Sequence, residues 1–126
     1  MNAMAALKQY QTVNVHAQVG EASPHRLIQM LMDGGLSRMA QARGAMERGD
    51  VAQKVLLIDK ALGIIGGLRG GLDQQNGGEL AGNLDRLYAY MSARLCEANL
   101  KNDVAIIEEV MGLLRDVKSG WEAIAH

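Results

Sequence analysis

Asn76–Asp103, NGGELAGNLDRLYAYMSARLCEANLKND, decides the fold. The stretch opens on a glycine pair, Gly77 and Gly78. It closes on Asn102 and Asp103, residues that favour caps and turns over helix interior. Roughly 24 residues lie between these stops, enough for a helix about 36 Å long at about 1.5 Å per residue. Leu80, Leu84, Leu87, Met91, Leu95 and Ala98 recur at spacings of three and four, which places them on one face. Glu79, Asp85, Arg86, Arg94, Glu97 and Lys101 fall largely elsewhere. Tyr88 borders the stripe, where its ring can pack while its hydroxyl reaches the edge. An amphipathic helix of this length belongs in a bundle.

The flanking sequence repeats the pattern. Upstream, Ser23 and Pro24 open a helix, because serine is a favoured N-cap and proline suits the first helical position. Ile28, Leu31, Gly35, Met39, Ala42 and Met46 share its face, and Leu27, Met30, Leu36 and Ala40 widen it. Arg48 and Gly49 end it. Asp50 starts the next helix, with Gln53 at capping-box spacing. Its stripe is Val51, Val55, Ile58, Leu62, Ile65, Leu68 and Leu72, broadened by Leu57, Ala61 and Ile64.

Gly63, Gly66, Gly67, Gly70 and Gly71 crowd the second half of that helix, each costing roughly 1 kcal/mol against alanine in a helix interior. They either admit a close neighbour or make this half easily remodelled. The aliphatic period survives through Leu72, which favours a helix. No Gly-Lys-Ser/Thr follows, so the glycines are not a phosphate loop.

Downstream, Asn102 and Asp103 start a last helix, with Val104, Ile107, Met111, Leu114 and Trp121 on its stripe. The Trp121 N–H needs a partner. Four helices of about 22 to 25 residues joined by very short links are forced antiparallel. The expected fold is therefore all-α: an antiparallel up-down four-helix bundle over residues 23–126, preceded by an arm over residues 1–22. In the arm, Met4, Leu7, Tyr10 and Val13 recur at three-residue spacing before Gly20. Such a short helix is marginal alone, so it docks on the bundle, docks on a partner, or frays.

Composition limits the function. A chain of 126 residues suits one domain. Phe is absent and aromatics are 3%, so the core must be aliphatic and methionine-rich. The net charge of −1 and absence of like-charge blocks give no footprint for nucleic acid or an anionic membrane. No segment has the apolar length of a membrane span, and Met1–Gly20 lacks the pattern of a signal peptide. The single Cys96 fits a reducing compartment. A cytoplasmic location is expected.

No catalytic constellation stands out. His16, His25 and His126 are scattered, and no HExxH or paired Glu-x-x-His occurs, so neither a metal nor a cofactor is expected. Glu108 and Glu109 read as a solvated face, Asp33 as a helix-packing residue and Cys96 as a small core residue. The chain has instead an excess of apolar surface. A bundle helix needs a stripe only about 100° wide, and three of these helices carry more. Eight methionines add adaptable surface of the kind that suits grooves accepting varied partners. The surplus would receive an amphipathic partner, a fifth element of the chain, or a second copy in a homodimer.

Four segments carry a resemblance across nearly the whole chain: LKQY at Leu7–Tyr10, ASPHRLIQMLMDGG at Ala22–Gly35, GLDQQNGGELAGNLDRLYAYM at Gly71–Met91, and RLCEANLKND at Arg94–Asp103. In these the sequence resembles the flagellar secretion chaperone family FliS. The resemblance implies a cytoplasmic, non-enzymatic bundle that binds the disordered C-terminal region of flagellin, one to one. The bound segment wraps the bundle and becomes helical. Premature polymerisation is thereby prevented and the client is presented to the flagellar type III export gate. Leu7 and Tyr10 stand where the family has its gate-docking element. For flagellin contact, the apolar positions singled out are Leu27, Met30, Leu31, Leu57, Ile64, Leu68, Leu84 and Tyr88; an ordinary core role is the alternative for each. Met32 departs from the family's usual aromatic residue. The glycines from Gly63 to Gly71 replace larger residues and leave the stiffness of that helix open.

Overall fold

The computed structural model describes residues 22–73 and 77–124. The arm, with Leu7 and Tyr10, lies outside the described residues, as do His16 and His126. Among the described residues four helices follow in order: α1 (Pro24–Arg48), α2 (Val51–Gly70), α3 (Gly78–Lys101) and α4 (Val104–Ala123). Each starts or stops where its local chemistry requires. Ser23 Oγ accepts from the Arg26 N–H at 3.1 Å, Asp50 Oδ1 from the Gln53 N–H at 3.2 Å, and Asp103 Oδ1 from the Ala105 N–H at 3.0 Å. Such caps contribute about 1 kcal/mol each. Gly49 closes α1 in the left-handed region at φ 72°, where a side chain would be strained. Despite its glycines, α2 stays helical through Gly70 and stops just before the expected Leu72.

The helices form a ring in which α1 packs on α2 and α4, and α3 packs on α2 and α4. Cross-helix bonds show the antiparallel order. Arg69, late in α2, pairs with Asp85, early in α3. Lys54, early in α2, reaches Asn99 and Asn102 at the far end of α3. Trp121, at the end of α4, donates its indole N–H to the His25 carbonyl at the start of α1, 2.9 Å away. The His25 and Trp121 rings stack 4.5 Å apart. The up-down bundle read from the sequence is thus the observed fold.

The core is aliphatic, with Leu31, Met39, Ile58, Ile65, Met91, Leu95, Ile107 and Leu114 fully buried. Gly35 lets α1 approach closely: a Cβ there would lie 3.2 Å from Leu114 Cδ2. Several expectations about faces are corrected. Met30, Met32, Met39, Met46, Met91 and Met111 are all buried, so these methionines fill the core of a chain without Phe and do not offer an adaptable surface. Leu80, placed on the buried stripe of α3, is 65% exposed because Ala81 takes the inward position one residue on. Cys96, read as a core residue, is exposed; Leu95 fills the inward place beside it. Glu108 and Glu109 are exposed as expected and also paired, with Arg43 and Arg94 respectively. Asp33 packs by pairing with Lys118 of α4 at 2.6 Å.

Candidate functional site

The candidate site grows out of the rotation of α2. Apolar residues surround this helix almost completely. The residues that turn inward are Leu57, Ile58, Ala61, Ile65 and Leu68, together with Lys54. Val51 and Val55, expected on the buried stripe, are therefore rolled outward and are 63% and 47% exposed. At 100° per residue, Val51, Val55, Leu62 and Arg69 lie within about 40° of one line along the helix. Arg69 fixes where that line faces. Its Nε donates to Asp85 Oδ1 at 2.6 Å and its Nη2 to Asp85 Oδ2 at 3.3 Å. The row of exposed valines therefore runs along the α3 side of α2.

The facing row on α3 follows from the same pair. Asp85, Ala89, Ser92 and Cys96 are spaced four, three and four apart and share a line. Leu100 flanks its far end and is 85% exposed. The outer side of the α2–α3 seam, hereafter the track, is thus flanked by exposed Val51 and Val55 on α2 and by small residues on α3. Arg69 and Asp85 close one end. That hydrogen-bonded pair holds the Asp85 carboxyl below the usual carboxylate range. At the other end, the buried Lys54 ammonium donates to the Asn99 carbonyl at 3.1 Å and to Asn102 Oδ1 at 3.3 Å. A cation there also complements the negative end of α3. Exposed Leu56 continues the apolar surface around the back of α2.

The α3–α4 seam is different in kind. Arg94 bridges Glu109 at 2.8 Å and Glu97 at 2.5 Å, Tyr90 donates to Glu109 at 2.8 Å, and Lys101 pairs with Glu97 at 2.7 Å. Hydrogen bonds from Arg94 first, then Tyr90, lower the Glu109 pKa. These are solvated pairs that set register and weaken with salt.

The eight positions singled out from sequence do not gather on one surface. Met30, Leu31, Leu57, Leu68 and Tyr88 are buried, while Leu27, Ile64 and Leu84 are half-buried. Ile64 sits on the α1 side of α2, with its Cγ2 beside Gly35. Tyr88 is buried enough to push its phenol up to about 12. The sequence reading assigned Val51 and Val55 to the core and passed over Leu56 and Leu100. The signal that could have found them was the surplus apolar width of α2. Among the described residues no group of His, Cys, Asp or Glu side chains is arranged to hold a metal ion, and no helix is long and apolar enough to cross a membrane.

The sequence of this bundle is matched by a family profile, described as Flagellar protein FliS, over residues 6–126. The chain belongs to the FliS family. One FliS relative, named flagellar secretion chaperone FliSB, from Pseudomonas aeruginosa, is 64% identical over 126 residues, covering all of both chains. The flagellar secretion chaperone FliS of Salmonella typhimurium is 48% identical, over 99% of this chain and 93% of the relative. That of Bacillus subtilis is 35% identical, over 82% and 77%. The most specific FliS-like segment, Gly77–Met91, supplies the first half of α3 and includes both Asp85 of the track and Tyr88 of the core.

Proposed function

We propose that this protein is a cytoplasmic export chaperone that holds the C-terminal region of flagellin, one to one, on the outer faces of its bundle. In this reading it keeps that region from polymerising early and delivers it to the flagellar type III export gate. The observation that carries the reading is the pair of exposed valines on α2, Val51 and Val55, beside the small residues of α3, in a chain of this family. A segment destined for filament packing is apolar and prone to aggregate, and a helix-in-groove contact would cover it. Ordering a disordered segment costs conformational entropy, so the covered area has to be large. As it wraps the bundle, the client also covers the half-buried Leu27, Ile64 and Leu84, of which Ile64 lies on the α1 side of α2, away from the track. Met30, Leu31, Leu57, Leu68 and Tyr88 are buried and support the client-bearing helices from within the core. Leu7 and Tyr10 make the contact with the gate. The role is binding, without catalysis or a cofactor.

The test is calorimetric titration with the C-terminal segment of the cognate flagellin, beside flagellin lacking it. One-to-one binding by the segment, with a strongly negative heat-capacity change, is the expected result. A folded bundle that binds neither would overturn the client assignment. A dimer in light scattering that persists until the protein unfolds would instead give the apolar track to a second copy.

A further inference from the structure

We draw no further inference here: the strongest candidate, the exposed apolar pair Leu80 and Ile124 at the open end of the α3–α4 seam, is an unpartnered face, and nothing in the structure shows what covers it.

Discussion

Replacing Val55 by glutamate separates the surface role of α2 from its core role. Val55 still shows 47% of its surface. Fully covering a valine stabilises by about 1.5–3 kcal/mol, so a client lying over this one gains roughly 1 kcal/mol. In Val55→Glu that gain is lost. The covered carboxylate must also be stripped of water without a partner, which costs about 1–3 kcal/mol more. The sum, about 2–4 kcal/mol, weakens the client's Kd by at least about 30-fold. Folding should hardly change. The site is exposed, and exposed substitutions usually stay within about 0.5 kcal/mol.

The control lies three residues on. Ile58 is 2% exposed, and Ile58→Ala should cost about 2–5 kcal/mol of stability. Urea unfolding and calorimetric titration of both variants measure the two effects separately. If Val55→Glu binds the flagellin segment as tightly as the parent, the track is not where the client lies. If it unfolds as readily as Ile58→Ala, the outward rotation of α2 is wrong.

Three further outcomes follow from particular groups. The Tyr88 phenol titrates near 10 when unfolded and about 12 in the fold. The fold thus favours the neutral form, and this stabilisation is intact below pH 10 and lost as pH rises toward 12. The loss should amount to roughly 2–3 kcal/mol and be absent from Tyr88→Phe; urea midpoints falling equally in both proteins above about pH 10 would exclude it. Lys54→Met keeps the apolar stem but removes the donor to Asn99 and Asn102. It should lower unfolding stability by about 1–2 kcal/mol, whereas a variant as stable as the parent would mean that the two bonds only offset the desolvation of the lysine. The glycine-rich half of α2, Gly63–Gly70, should exchange its amides faster than Ala52–Leu62 in the free protein and slow when the client binds. Equal rates in the free and loaded states would rule out its remodelling.

Much of this fold was legible in the sequence because its signals are local. Ser23, Asp50 and Asp103 cap the next turn within three residues, and Gly49 and Asn102 supply the left-handed stops. These fixed nearly every helix boundary, and short links then forced the antiparallel order. The family motifs lie in the same local segments, so membership too could be read before any coordinates.

What only the tertiary structure decided was which way each helix turns. Periodicity groups Val51, Val55, Ile58 and Leu62 on one face of α2, yet the valines are exposed, Ile58 is buried and Leu62 is half-buried. On a helix apolar almost all round, it does not say which of these residues turn outward. Packing against α1 at Gly35 and the long-range bonds from Lys54 and Arg69 to α3 accompany that orientation. The same packing put the six described methionines inside, Leu80 and Cys96 outside, and the Trp121 N–H on a carbonyl 96 residues away. Sequence spacing specifies neighbours along one helix, while burial is set by neighbours on other helices. The track on the α2–α3 seam therefore became visible only once the helices were packed.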